Sequence, residues 1–365
     1  MVRITGDFQS DSPVHPLALG LLGDLYQRGW RDPTKIHLPS AELAILITDA
    51  KTSLAKHLKI SPNEIEVISD LNLGFHLGIS GLLHSNSRLI HSAVDRQDIF
   101  AIARAHQNNG GEVQVCNCNL AGVIDYAAIK PSDNNVIVWQ SCNRETGVKQ
   151  SATRALENIS TSGTKIFADM TFANFRSEPP VNWSTALWDA TSWGGPKGIA
   201  FLAIRNGVNW VNPLPHIDME RVSNGFSIPL FLASVVALEN SDKDFETDSL
   251  RILELNKRVR GFVAANISDA DIAGNIEDSD PRKLSISFLY LQAEELLRNL
   301  EKSGYLVDSG SACSAADLAP SHVLAAMGIL THGNIRLTFR ADLTIAIVDQ
   351  FLTALKTEIE RARLD

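Results

Sequence analysis

The sequence predicts an α/β protein with a mostly parallel sheet and helices on both faces, followed by a smaller α+β unit. Strand-like apolar segments alternate with helical ones between residues 65 and 204, and this alternation is typical of a parallel sheet. After residue 250 the predicted elements are longer helices and fewer strands. The chain has 365 residues, of which 44% are hydrophobic and 21% charged, so it can bury the core that such a fold needs.

The individual elements follow from the spacing of apolar residues. A helix is predicted at 17–26, and Ser40 is a candidate N-cap of a second helix whose apolar residues recur every three or four positions as far as Leu54. Another helix is predicted at 98–106, ended by Gly110 and Gly111. The remaining predicted segments are strands at 65–68, 88–91, 112–116, 136–140, 165–168, 198–204, 286–291 and 335–339, and helices at 229–238, 250–262 and 343–363.

A charged stretch at 239–248 lies between two predicted helices and is the best candidate for a domain boundary. We therefore predict a large domain at 15–245 and a small domain formed by 1–14 and 246–365. A solvated loop inside a single domain is the alternative.

Composition excludes several classes of function. The net charge of −9 argues against a nucleic-acid or anionic-membrane surface. No apolar run approaches the ~20 residues of a membrane span, and the N-terminus lacks a signal-peptide core, so we expect the protein in the cytoplasm. The four cysteines form neither a disulfide ladder nor a paired metal motif, and no metal is expected. They are Cys116, Cys118, Cys142 and Cys313.

Cys313 lies within the small residues of the stretch 309–316, which have almost no side chain to cover a sulfur atom. A helix is predicted after it, with Pro320 in the first turn and with Val323, Leu324 and Met327 on the apolar face. A buried structural cysteine is the alternative, but the apolar neighbours that burial requires are missing. The pattern predicts an accessible thiol.

This stretch resembles the active-cysteine loop of the cysteine desulfurases, the NifS/IscS branch of the class V aminotransferases. Other matches to that family are Asn143–Gly147, Asp169, Gly195–Gly198 and Arg336. The resemblance implies the fold-type I transferase fold, with a large domain that holds pyridoxal phosphate and a small domain that carries the cysteine loop. It also implies a homodimer with sites built across the interface.

Four residues keep the family's functional groups. Cys313 matches the nucleophile that takes sulfur from cysteine as a persulfide, and Asp169 matches the acid that pairs with the pyridinium nitrogen. Arg336 matches the arginine that binds the substrate carboxylate. Ser227 stands where the phosphate-binding threonine of the neighbouring subunit falls in the family. His322 could assist Cys313, although a solvent-facing histidine is the alternative.

The Schiff-base region departs from the family pattern. Ser192 stands at the position of the lysine that forms the imine with the cofactor, and a hydroxyl cannot form an imine. Thr191 replaces the adjoining histidine, and Asp189 replaces a phosphate-binding serine. Lys197 is near in sequence, but family members that keep the catalytic lysine also have a lysine there.

The remaining cofactor contacts also depart. The segment from Asp70 to Asn72 replaces the Gly-Ala-Thr phosphate cradle. A carboxylate about 4 Å from a phosphate costs on the order of 4 kcal/mol per charge pair at an effective dielectric near 20. Asp95 replaces the histidine that stacks on the ring, and Arg144 and Phe172 replace the Asn and Gln that contact its hydroxyl.

Three functions remain open from the sequence. The favoured one is a cofactor-free relative whose Cys313 accepts, carries or passes sulfur, or whose altered pocket binds another small ligand. The second is a working desulfurase that uses pyridoxal phosphate, and the third is a non-catalytic interaction protein that pairs with an active paralogue. The expected partners are a second copy of the chain and a sulfur-acceptor or paralogous desulfurase protein.

Overall fold

A computed structural model describes residues 3–152, 156, 159, 163–217, 220–223, 225–310 and 320–364. Its strands are β1 (Gly6–Asp7), β2 (Ile65–Ile68), β3 (Arg88–Ser92), β4 (Glu112–Cys116), β5 (Asn135–Gln140), β6 (Lys165–Asp169), β7 (Thr185–Asp189), β8 (Ala200–Ile204), β9 (Ala270–Ile272), β10 (Lys283–Phe288), β11 (Tyr305–Leu306) and β12 (Ile335–Thr338). Its helices are α1 (Pro16–Arg28), α2 (Leu38–Leu58), α3 (Leu71–Ser80), α4 (Gln97–Asn108), α5 (Ile228–Asn266), α6 (Ala293–Lys302), α7 (His322–Met327) and α8 (Ile345–Ala362).

The central sheet has seven strands in the order β2-β8-β7-β6-β5-β3-β4. Strands β3 to β7 run parallel, and β8 is antiparallel to both of its neighbours. Strands β5 and β8 are buried along their whole length, which explains why the sequence shows them as continuous apolar runs. The predicted α/β class with a mostly parallel sheet is confirmed. The carboxyl ends of β3, β5, β6 and β7 therefore lie along one edge, where ligands of such sheets bind.

A three-stranded antiparallel sheet, β12-β10-β9, and the short parallel pair β1-β11 form a second unit. Its buried apolar residues form a cluster separate from those that cover the central sheet. Phe8, from the N-terminal segment, belongs to this second cluster and packs on Phe351 of α8. The division into a large domain at 15–245 and a small domain at 1–14 and 246–365 stays a prediction.

The separation of the helices at 229–238 and 250–262 is wrong. Helix α5 continues through the charged stretch 239–248, whose residues are half-buried or exposed. Asp242 and Glu246 bind Arg176, and the hydroxyl of Ser241 donates to the Trp193 carbonyl at 2.8 Å. Polar residues such as these are compatible with a helix when their side chains find partners or water.

Three local predictions also need correction. Helix α2 begins at Leu38, so Ser40 lies in its first turn and is not the N-cap. The strand expected at 286–291 is β10 at Lys283–Phe288, because Leu284, Ile286 and Phe288 face the small core. Pro320 precedes the cap of α7, which is Ser321, although Val323, Leu324 and Met327 are buried as predicted. Strand β7 and helix α3 were not predicted from the sequence.

Candidate functional site

Two buried carboxyl groups lie at the carboxyl ends of neighbouring strands of the central sheet. Asp169 is the last residue of β6, and its Oδ1 accepts hydrogen bonds from the Thr171 hydroxyl at 2.6 Å and from the Thr171 N–H at 2.9 Å. Asp95 follows β3, and its carboxylate accepts from the Ser92 N–H at 2.6 Å and from Nε2 of Gln140 at 3.0 Å. Gln140 is the register partner of Asp169, so it links the two acids.

The environment of these acids favours their protonated forms. Burial raises the pKa of Asp95 to about 8, and the nearby Asp169 carboxyl adds to this rise against the Ser92 N–H, which lowers it. Burial also raises the pKa of Asp169, although Arg96 and Thr171 favour its charged form. Asp95, which the sequence analysis placed at the position of the stacking histidine, is therefore a buried acid with a raised pKa.

Asp70 and Asn72, which the sequence analysis placed at the phosphate position, lie at the start of α3. Asp70 is the N-cap of this helix, and its Oδ1 accepts from the Leu73 N–H at 2.9 Å. Asn72 lies exposed in the first turn. A helix N-terminus normally favours an anion, but here the protein's own carboxylate occupies that role.

The segment that follows β7 is a short 3₁₀ helix over Ala190–Trp193. Asp189 caps it, because its Oδ1 accepts from the Thr191 N–H at 3.0 Å. The hydroxyl of Ser192 donates to the carbonyl oxygen of Asp189 at 2.8 Å. The side chains of Asp189, Thr191 and Ser192 are half-buried.

Two other residues considered from the sequence also have structural contacts. Ser227 is the N-cap of α5, where its hydroxyl oxygen accepts from the Leu230 N–H at 3.5 Å. Lys197 is exposed and forms an ion pair of 2.8 Å with Asp11. Lys197 therefore points to a surface carboxylate.

The motif Asn143–Gly147 forms a tight turn after β5. Oδ1 of Asn143 accepts from the N–H groups of Glu145 and Thr146, and its Nδ2 donates to the Val94 carbonyl at 2.9 Å. Gly147 has φ of +78°, and a Cβ there would lie 2.9 Å from the carbonyl oxygen of Asp280. The turn therefore requires glycine, and it fixes the backbone from which Arg144 extends.

Arg336, on β12, lies where the small sheet meets this turn. Its Nη2 donates to the Ser309 carbonyl at 2.5 Å, and its Nη1 lies 3.7 Å from Oε2 of Glu145. The Gly310 N–H donates to Asn334 at 3.1 Å, and a Cβ on Gly310 would lie 2.9 Å from Cβ of Ser321. Gly310 therefore lies close to both Glu145 and Ser321. Cys313 itself lies outside the described residues.

Sequence reasoning missed Arg282, which joins the two parts of the structure. Its guanidinium donates to the carbonyl oxygens of Phe172 at 2.6 Å and Ser192 at 3.2 Å, and it pairs with Asp280 at 2.8 Å. It also lies 4.6 Å from the centre of the Phe172 ring. Its position at the end of a charged turn, Asp-Ser-Asp-Pro-Arg, gave no signal that distinguishes it from a surface arginine.

Sequence reasoning also missed Lys283, the first residue of β10. It is 1% exposed, and its Nζ donates to the hydroxyls of Ser10 at 2.7 Å and Thr338 at 2.5 Å. Burial, followed by the positive charge of Arg144, lowers the pKa of Lys283 to about 7. In the sequence, Lys283 is only recognisable as the polar residue that begins the alternating pattern of β10, and nothing there indicates that it is buried.

The described cysteines are shielded. Cys116 and Cys142 are buried and Cys118 is half-buried. Burial raises the pKa of all three thiols, to about 11 for Cys116. The solvent-facing alternative for His322 is wrong, because this ring is half-buried, lies 2.8 Å from the Asp95 carbonyl oxygen and contacts Phe100 edge-on.

Within the described residues there is no group of three or more His, Cys, Asp or Glu side chains arranged to hold a metal ion. No helix in that part of the chain is both long and apolar enough to cross a membrane.

Comparisons with known proteins agree on one group of relatives. A cysteine desulfurase of Nostoc sp. is 26% identical over 349 residues, which cover 91% of this chain and 86% of the relative. The mitochondrial cysteine desulfurase of Arabidopsis thaliana is 25% identical over 99% of this chain and 84% of its own length. A solved NifS-like protein has a TM-score of 0.87 at 19% identity, covering 99% of this chain and 100% of that one. No protein-family model matches the chain.

Proposed function

Because this chain is homologous to the cysteine desulfurases over most of its length, we propose that it is a cysteine desulfurase-like protein that holds no pyridoxal phosphate covalently. The observation that carries the proposal is Ser192, which stands at the Schiff-base position and donates its hydroxyl to the Asp189 carbonyl. An imine requires an amine at this position.

The residues around the cofactor position do not fit pyridoxal phosphate. The carboxylates of Asp70 and Asp189 each accept a hydrogen bond from a backbone N–H in the first turn of the helix that follows. Such N–H groups are the usual ligands of a phosphate, and a carboxylate beside them repels it. Asp95 replaces the histidine that stacks on the ring, and Phe172 replaces the polar residue that contacts its hydroxyl, which adds to the misfit.

The second part of the proposal is that Cys313 accepts and passes sulfur. Its thiolate would attack the outer sulfur of a donor persulfide, form a sulfur–sulfur bond and release the donor as a thiolate. This exchange is balanced without an oxidant. The close approach of Gly310 and Ser321 beside Arg336 supports a role for this segment at the cleft.

Reduction with borohydride tests the cofactor proposal. The protein is incubated with pyridoxal phosphate, reduced and mapped by mass spectrometry, with a cysteine desulfurase that keeps its lysine as the positive control. We expect no phosphopyridoxyl group on any lysine. An adduct at Lys197 or at another lysine would contradict the proposal.

Persulfide labelling tests the sulfur-transfer proposal. The protein is incubated with a low-molecular-weight persulfide, and the persulfides are then alkylated and mapped. We expect the modification at Cys313 and its loss in Cys313→Ser. Labelling of Cys118 alone, the half-buried cysteine, would count against the proposal.

We also propose a homodimer located in the cytoplasm, with a sulfur-acceptor or paralogous desulfurase protein as a further partner. Exposed apolar side chains along α1, α2 and their connection support an interface. They are Leu17, Leu19, Leu21, Tyr26, Trp30, Ile36, Leu38, Ile45 and Leu46. Light scattering at micromolar concentration is expected to give the mass of two chains, and a monomer mass would contradict the dimer.

A further inference from the structure

The turn that follows β7 receives hydrogen-bond donors from three different parts of the chain. The carbonyl oxygen of Ser192 accepts from Nη1 of Arg282, at the start of the small sheet, at 3.2 Å. The next two carbonyl oxygens, of Trp193 and Gly194, accept at 2.8 Å from a hydroxyl on α5 and from the N–H of the residue before α1. Carbonyl groups at the end of a helical turn lack partners within the helix. Each of these three has one, and Arg282 supplies the partner that comes from the small sheet.

The same guanidinium also holds the turn that follows β6. Its Nη2 donates to the carbonyl oxygen of Phe172 at 2.6 Å, and its centre lies 4.6 Å from the centre of the Phe172 ring. Asp280 fixes the orientation of the fork, because Nε and Nη2 of Arg282 donate to its two carboxylate oxygens at 2.9 and 2.8 Å. Asp280 is buried and Arg282 is half-buried, so water competes little for these bonds.

The turn that follows β5 is held in a different way. The Asp280 N–H donates to the Gly147 carbonyl at 2.7 Å, and the Lys149 N–H donates to the Asp278 carbonyl at 2.9 Å. The segment 278–282 therefore lies along the turns at the ends of three strands of the central sheet. Backbone groups join it to the first of these turns, whereas the side chain of Arg282 donates to the other two.

We propose that Arg282 is a positioning residue that couples the turns after β6 and β7, so that the two turns loosen or shift together. A guanidinium is planar and rigid, so a turn that moves its carbonyl away also turns the fork away from its other partners. Phe172 and Ser192 lie in these two turns, at positions that the sequence analysis assigned to the candidate site. A ligand that displaces one turn would therefore change the conformation of the other.

The variant Arg282→Lys is designed to break the coupling without leaving a buried charge unpaired. A lysine keeps a positive charge beside Asp280, but its single amine cannot bind that carboxylate and both carbonyl oxygens in the geometry of a fork. Asp280→Asn is the second variant. It keeps an oxygen that can accept from Arg282 and removes the negative charge, so it should weaken the hold on both turns to a smaller extent.

Hydrogen exchange of the whole protein, followed by mass spectrometry of peptides, measures the loosening of each turn. The Ala173 N–H donates to a carbonyl within the turn after β6, and the Gly195 N–H donates to a carbonyl within the turn after β7. We expect Arg282→Lys to accelerate exchange of both peptides by about ten-fold or more, the usual effect of losing a hydrogen bond from a charged donor. The matched control is Arg258→Lys, which alters an exposed pair with Asp349 and should leave both peptides unchanged.

Two internal references separate loosening of these turns from general destabilisation. Peptides from β5 and β8 should exchange as in the unmodified protein. The peptide that contains Lys149 should also be unchanged, because backbone bonds hold the turn after β5. Unchanged exchange at both Ala173 and Gly195, acceleration at only one of them, or equal acceleration in β5 and β8 would overturn the proposal.

A second substitution tests the coupling itself. Phe172→Leu removes the ring beneath the guanidinium, and it should accelerate exchange at Gly195, in the other turn. In the Arg282→Lys background the same substitution should have little further effect at Gly195, since the connection between the turns is already lost. An equal effect in the two backgrounds would mean that the turns are not coupled through Arg282. If Arg282→Lys does not fold, Asp280→Asn takes its place in both experiments. None of these results bears on the borohydride or persulfide experiments.

Discussion

The carboxylate of Asp70 accepts a hydrogen bond from the backbone N–H of Leu73 at 2.9 Å, so this acid caps α3. Removing the cap in Asp70→Ala should lower the free energy of unfolding by about 1 kcal/mol, because an N-terminal N–H loses its partner. Asp70→Asn keeps a capping oxygen and should change the free energy much less. Urea unfolding followed by circular dichroism measures both. Equal losses in the two variants would show that the negative charge, and not the hydrogen bond, stabilises the helix.

The second prediction concerns the charges of Asp70 and Asp189. The double variant Asp70→Asn, Asp189→Asn keeps both caps and removes both negative charges, so non-covalent binding of pyridoxal phosphate should become at least about ten-fold tighter. A like-charge pair at about 4 Å, on the order of 4 kcal/mol at an effective dielectric near 20, makes this a conservative expectation. Equilibrium dialysis with absorbance detection measures the affinity.

Asp24→Asn, on the exposed side of α1, is the matched control for a general change in net charge. It should leave the affinity unchanged. An equal gain in this control and in the double variant would mean that overall charge, and not the two caps, limits cofactor binding.

Much of the fold was predictable because the central strands appear in the sequence as clear apolar runs. The runs at β5 and β8 are largely apolar on both faces, so they are recognisable as buried central strands, although β8 runs antiparallel to both of its neighbours. The charged stretch 239–248 led to the wrong prediction of a break between two helices, because local polarity does not distinguish a loop from the exposed face of a long helix. The contacts of Asp242 and Glu246 with Arg176 come from residues far apart in sequence.

The site predictions came from the family pattern and stay predictions. That pattern led us to expect Ser192, Asp70 and Asp189 as departures from the family, but it did not reveal that Asp70 and Asp189 are caps. Lys283 and Arg282 were missed, because their roles depend on contacts between the small sheet and the ends of β6 and β7. Burial and neighbouring charges, which give Lys283 its lowered pKa, exist only in the folded chain.

The third prediction uses the raised pKa of Asp95, about 8 in the folded protein. An unfolded aspartate loses its proton near pH 4, so the folded state holds a proton that the unfolded state lacks between about pH 4 and pH 8. The stability due to this group is fully present below pH 4 and is lost as the pH rises through 8. The variant Asp95→Asn has no carboxyl group to titrate at this position. Oε1 of Gln140 has no hydrogen-bond partner, and if the Gln140 amide flips, this oxygen can accept a hydrogen bond from the amide that replaces the carboxyl group.

The free energy of unfolding of Asp95→Asn, relative to the unmodified protein, should therefore increase between pH 5 and pH 8 and level off above pH 8. The slope cannot exceed about 1.4 kcal/mol per pH unit, the limit for one proton. Urea unfolding at four pH values measures it, and Asp24→Asn serves as the exposed control. A difference that stays constant with pH would mean that Asp95 is ionised in the folded protein.

The last prediction concerns the relative reactivity of the cysteines. Alkylation requires an accessible thiolate, and burial both hides the other three thiols and raises their pKa values. Sγ of Cys142 donates to the Gly147 carbonyl at 3.2 Å, and Sγ of Cys118 donates to the Ala326 carbonyl at 3.5 Å. Brief treatment of the native protein with iodoacetamide should therefore modify Cys313 much faster than the others, as measured by peptide mapping.

The denatured protein supplies the control, since all four cysteines should then react at similar rates near the ordinary thiol pKa. Cys313→Ser should lose the fast phase of the native reaction and keep the slow one. Equal or slower modification of Cys313 in the native protein would mean that its thiol is covered when the chain is folded. A covered thiol could not attack a donor persulfide, and the exposed apolar residues of α1 and α2 would then make a non-catalytic interaction protein the better explanation of the fold.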